Sequence, residues 1–159
     1  MNPILQELQQ DSKRTPAEIA ERLGMDTAEV AQKIAAWEAD KTILGYEAVI
    51  DEDRAGNPNV VAFIEVKIKP EREGGFDRLA QRIAKFDQVK SCYLASGGYD
   101  LLVIVESSDL RQVARFVAER LSTIDGVLST ATHFQLKAYK LNGFLMQPES
   151  KPDRLPIAP

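Results

Sequence analysis

The sequence is short of the residues that most site chemistry needs. It holds one cysteine, Cys92, and one histidine, His133, among 159 residues. A single cysteine forms no internal disulfide, and a lone histidine with no cysteine or carboxylate at ligand spacing assembles no metal site. No metal and no cofactor are therefore expected, and Cys92 reads as a small buried hydrophobe in a strand, His133 as a residue on a sheet surface. Long apolar runs are also missing. The longest, 101–105, is far short of the ~20 residues that cross a bilayer, so no membrane partner is expected. No basic-then-apolar leader pattern opens the chain, and a cytoplasmic location is the expectation. Positive charge is not in excess either: a net charge of -4 and a pI near 5.1 give the whole chain no bulk attraction to phosphate, so any nucleic-acid contact must be local. Finally, no nucleophile is paired with a base, no two carboxylates are set for acid/base work, and no phosphate loop is present, so no catalytic residues are assigned.

What is present is ordinary for a packed globular protein, with 44% hydrophobic and 28% charged residues. In the first fifty residues the apolar spacing predicts three helices. Ile4, Leu5 and Leu8 share one side of a short helix over 3–10. Thr15-Pro16-Ala17-Glu18 combines a capping box with proline at the first helical position, and Gly24 ends the helix that follows. Asp26-Thr27-Ala28-Glu29 caps a third helix over 27–40, with Val30, Ile34 and Trp37 facing the other two. A short helix, a glycine turn and a longer helix form a helix-turn-helix, and 41–50 reads as a turn into a short strand, the wing. Thr27, Ala28, Gln32, Lys33 and Ala36 are the third-helix residues expected to face a DNA groove. Charge opposes the contact. Up to Tyr46, five basic residues stand against eight acidic ones, so one such unit binds DNA weakly and needs a dimer.

A polar stretch with glycine and proline, 51–59, reads as a linker. Beyond it, 60–69 alternates as a strand, 75–86 is helical, 89–96 and 100–106 are strands, a helix capped by Ser108 or Asp109 carries Leu110, Val113, Val117 and Leu121, and a last strand covers 127–139. The order β-α-β-β-α-β predicts a ferredoxin-like sheet with both helices on one face. The fold class is thus α+β: a winged helix-turn-helix at 1–50, then a ferredoxin-like domain at 60–145 and a proline-bearing tail at 146–159. Apolar Val61 and Phe63 on the helix-free face need cover, which a second copy supplies most simply.

Between the second and third strands lies Ser96-Gly97-Gly98-Tyr99-Asp100. Two glycines let the backbone take positive φ and come close to a ligand above it. Alone, the stretch reads first as a tight turn with a solvated rim.

The ordered pair of units, with Ser-Gly-x-x-Asp at 96–100, Ile43-x-Gly45-Tyr46 and Gly126-Val127, resembles the Lrp/AsnC family of transcription regulators over about residues 3 to 145. The resemblance implies homodimers formed through the sheets and assembled into octamers, binding double-stranded DNA and responding to an amino acid or similar small effector between dimers. It implies that Gly97 and Gly98 offer close backbone approach, that Asp100 faces an ammonium group and Tyr99 walls the pocket, with Ser96 and Thr132 as lesser contacts. The chain departs from the family at Ala35 and Ala36, where many members carry paired arginines. The alternative is a ligand-sensing or assembly protein of the same fold with weakened or lost DNA binding. Haem-pathway decarboxylases share the architecture but place a histidine in or beside the turn, and this turn has none.

Overall fold

A computed structural model describes residues 1–56, 59–70 and 75–146. The chain divides into two compact units between Val49 and Ile50. The tail expected at 146–159 lies outside the described residues apart from Met146, as does part of the 51–59 linker, at 57–58.

The first unit packs α1 (Pro3–Gln10), α2 (Pro16–Leu23) and α3 (Thr27–Ala39). Each start is set by a side chain that accepts an otherwise unpaired backbone N–H. Asn2 accepts from Ile4, Thr15 from Glu18, and Asp26 from Glu29. At α2 the box closes both ways, the Thr15 N–H donating to Glu18 Oε2 at 2.7 Å and the Glu18 N–H to Thr15 Oγ1 at 3.3 Å. Gly24 turns the chain in the left-handed region, and Ile4, Leu8, Ile19, Ala20, Val30 and Ile34 form the core, with Trp37 packed at its edge. The expected wing strand is absent. Residues 44–51 carry no regular secondary structure, because a strand needs a ladder partner and the described residues offer this segment none. Within the expected linker, Asp51 caps the single turn α4 (Glu52–Ala55).

The second unit contains β1 (Val60–Ile68), α5 (Asp77–Ala84), β2 (Val89–Leu94), β3 (Leu101–Ser107), α6 (Leu110–Phe116) continued by a π-helical turn (Val117–Leu121), and β4 (Val127–Phe134). The strands form an antiparallel sheet in the order β2-β3-β1-β4. Ala62, Ile64, Val66 and Ile68 of β1 and Leu101, Val103 and Val105 of β3 are buried under Leu79 and Ile83 of α5 and Val113, Phe116 and Leu121 of α6. The rings of Phe86, just past α5, and Phe116 of α6 meet edge-on at 5.4 Å. Alternation sends Phe63, Glu65 and Lys67, with their β3 partners Ile104 and Leu102, to the other face, which carries no helix among the described residues.

Three boundaries differ from the sequence expectation. The helix predicted over 75–86 is confined to α5. Leu110, expected in the buried stripe, is the first residue of α6 and is exposed, while Phe116 takes a core position and the extra residue of the π turn brings Leu121 into the core five residues later. The last strand ends at Phe134, since β1 begins at Val60 and the Gln135 N–H donates the last bond of that edge to Val61 O. Residues Lys140–Leu141 and Phe144–Leu145 instead pair as a small hairpin, β5 and β6, around Asn142 and Gly143, both at positive φ.

Candidate functional site

Two surfaces hold the residues singled out by the sequence. On α3, Ala28, Gln32, Ala35 and Ala39 recur at i, i+4, i+7 and i+11, opposite the buried Val30 and Ile34, and all four are exposed. Ala36 and Thr27 flank this stripe and are exposed too. Gln32 is thus the one side chain on the stripe able to hydrogen-bond a base edge, while the alanines offer only methyl contact. Lys33 is half-buried and its Nζ binds Glu29 Oε1 at 2.7 Å, so its charge is already shared within the helix. The spacing of Glu29 and Lys33 carried that signal. Elsewhere in the unit Glu7 holds both Arg14 and Arg22. Tyr46 donates to Glu38 at 2.9 Å, and desolvation followed by that bond raises its phenol pKa.

The second surface is the 95–100 loop joining β2 to β3, closed by the Ala95 N–H donating to Asp100 O at 2.9 Å. Only Gly97 of the glycine pair uses positive φ, at 142°. A Cβ built on Gly97 or Gly98 would meet nothing within 4 Å, so packing in this chain does not demand either glycine. Ser96 is exposed, and Tyr99 and Asp100 are half-buried. The loop is pinned to β1 by Asp100. Its N–H donates to Val66 O at 3.0 Å, and its carboxylate Oδ2 accepts the Ile68 N–H at 2.8 Å. That second bond falls where the β1–β4 register shifts, between Lys67 and Ile68, at an amide whose ladder bond the irregularity disturbs. One carboxylate oxygen is committed there, a role the sequence did not reveal.

Thr132 is not brought to the turn within one chain. It pairs with Ile64, four residues along β1 from Ile68, which at the strand rise is about 13 Å. His133 projects from the helix-free face, with Nε2 3.5 Å from Glu65 Oε1. Cys92 is half-buried near Ala80 O, and desolvation raises its thiol pKa. Among the described residues no group of histidine, cysteine and acidic side chains is arranged to hold a metal ion, and no helix is long and apolar enough to cross a membrane.

Residues 61–144 match the Lrp/AsnC ligand binding domain, and residues 3–36 match the AsnC-type helix-turn-helix domain. The chain belongs to the Lrp/AsnC family. It is 41% identical over 157 residues to YugG of Bacillus subtilis (strain 168), named as an HTH-type transcriptional regulator, covering 98% of this chain and 95% of that one. A leucine-responsive regulatory protein of Rhizobium meliloti (strain 1021) is 28% identical, with 86% and 87% covered. A Neisseria meningitidis transcriptional regulator solved with L-Met superposes with a TM-score of 0.69 at 25% identity, with 91% and 92% covered. This Lrp/AsnC protein is accordingly a transcription regulator with a DNA-binding helix-turn-helix and a ligand-binding domain, and these relatives are named as regulators.

Proposed function

We propose that this Lrp/AsnC protein acts as a homodimer, assembled into an octamer, that binds DNA through α3 and releases or tightens that grip when an amino acid seats against the 96–100 turn between dimers. Residues 1–50 form the DNA-binding part, 51–59 the linker, and 60–145 the effector and assembly domain of a cytoplasmic protein. The observation that carries the reading is the turn itself: a backbone with open space above both glycines, held by Asp100 against β1. Glycine amides can approach a carboxylate closely. The uncommitted oxygen of Asp100 can meet an ammonium group, and Tyr99 can wall the apolar side. The names of the leucine-responsive relative and the L-Met complex support an amino acid as the effector class.

Dimerisation through the helix-free face is supported by Phe63, Leu102 and Ile104, apolar side chains that no helix among the described residues of this unit covers. The Thr132 separation agrees with a pocket completed by a second copy rather than within one chain. Binding to the region upstream of the protein's own coding sequence, measured by mobility shift with and without each of the twenty amino acids, tests the whole reading. A shift that one amino acid changes supports it, and binding no tighter than to random duplex contradicts it.

A further inference from the structure

The charge of the chain is distributed opposite to what a DNA-binding helix-turn-helix alone would need. Its three-helix unit is acidic, while the outer surface of α5 and α6 is basic. Arg78 and Arg82 on α5 and Lys85 at its C-cap recur at i, i+4 and i+7, away from buried Leu79 and Ile83. Arg111 and Arg115 recur at i and i+4 on α6, and Arg120 follows five residues later, the repeat that the π turn imposes. All six are exposed, and across both helices and their caps only Asp77, Asp109 and Glu119 oppose them. Among the described residues, Arg82, Lys85, Arg111, Arg115 and Arg120 have no carboxylate within ion-pair distance. The two helices lie side by side over one sheet face, so the cations share one surface.

We infer that this arginine-rich helix layer is a second DNA contact, which takes the phosphate backbone while α3 reads the bases. The inference rests on the DNA-binding reading above. Arginine predominates there, and its planar fork suits phosphate oxygens. The layer extends on the order of 10 Å along each helix, an axial length of duplex that carries about six phosphate charges. The acidic three-helix unit of another copy is a poorer occupant, because most of its carboxylates are already engaged and Glu21, the one left without a contact among the described residues, offers less charge than a duplex backbone. Glu7 holds Arg14 and Arg22, Glu29 holds Lys33, Glu18 and Asp26 cap helices, Glu38 holds Tyr46, and Asp40 accepts the Thr42 N–H.

Salt dependence provides the test, because each phosphate contact contributes about 0.9 to the slope of log affinity against log salt. The full-length protein and its Arg82→Gln/Arg115→Gln variant are titrated with a long duplex from upstream of the coding sequence, by fluorescence anisotropy. The variant's slope is expected to be shallower by about 1.8, so between about 50 and 200 mM salt it loses roughly tenfold less affinity than the parent. Arg82→Lys/Arg115→Lys is expected to keep most of the parental slope. An unchanged slope in the glutamine variant, with binding intact, overturns the inference and leaves the DNA-binding reading standing. A smaller oligomer by light scattering also overturns it, by assigning the layer to another copy of the chain. Failure of the parent to bind the duplex at any salt overturns both readings.

Discussion

The carboxylate of Asp100 accepts the backbone N–H of Ile68 at 2.8 Å, tying the effector-turn loop to the irregular end of β1. Asp100 is therefore a structural anchor, and the ligand contact proposed for it responds differently to substitution. Asp100→Asn keeps an acceptor for the buried strand and loses the charge. Asp100→Ala leaves the Ile68 N–H unpaired at a residue only 3% exposed, which costs about 1–3 kcal/mol. Thermal melts are expected to show a nearly parental asparagine variant that no longer responds to an amino acid, and a destabilised alanine variant.

The two glycines of the turn should separate in the same way. Gly97→Ala forces a side chain into φ 142° and should destabilise by about 1 kcal/mol or more. Gly98 has ordinary φ and open space around it, so Gly98→Ala should leave the melting temperature nearly unchanged while its methyl group blocks backbone approach. Calorimetric titration should then show an amino-acid affinity weakened by about tenfold or more, equivalent to at least ~1.4 kcal/mol.

Face-to-face dimerisation predicts that a charge at the centre of the helix-free sheet face dissociates the protein. Phe63 and Ile104 are register partners there. Ile104→Glu removes about 1.5–3 kcal/mol of apolar burial and adds an unpaired carboxylate in each copy. Sedimentation should find a folded monomer, whereas an intact dimer would place the interface elsewhere.

At α2 the Thr15–Glu18 box gives a pH-dependent prediction. The Thr15 backbone N–H and hydroxyl both donate to Glu18, and the backbone bond is the larger cause of its lowered pKa. A carboxyl whose folded pKa lies below its unfolded value, near 4.5, contributes stability above that pH and loses it as pH falls through the folded value. Glu18→Gln should flatten this acid-side dependence in melts between pH 3 and 6, on the order of the range in which carboxylates titrate. Thr15→Ala should cost about 1 kcal/mol at neutral pH.

Much of this molecule was legible from local signals. The caps of α2 and α3, the inward Val30–Ile34–Trp37 stripe and the alternation of β1 follow from side-chain chemistry and period alone. The missed features depend on tertiary partners. A wing strand at 47–50 has suitable residues but no ladder to join, and β4 stops where β1 stops. The π turn that sets Leu121 five residues after Phe116 leaves no mark in a 3.6-residue pattern. The β5–β6 hairpin did leave one, since Asn142-Gly143 is the strongest two-residue hairpin signal, with both residues at positive φ. At the candidate site the glycine turn stood out in the sequence, but the bond from Ile68 to Asp100 joins residues 32 positions apart and only the fold brings them together.

The most direct measurement is a thermal-shift screen of the parent and Gly98→Ala proteins against each of the twenty amino acids. At about 100 times its dissociation constant, a true effector should stabilise the parent by ~2.7 kcal/mol. At least one amino acid is expected to do so, and Gly98→Ala is expected to lose most of the gain while melting like the parent in its absence. An equal gain in both proteins, or no gain with any amino acid, would contradict the placement of an amino-acid effector at the 96–100 turn.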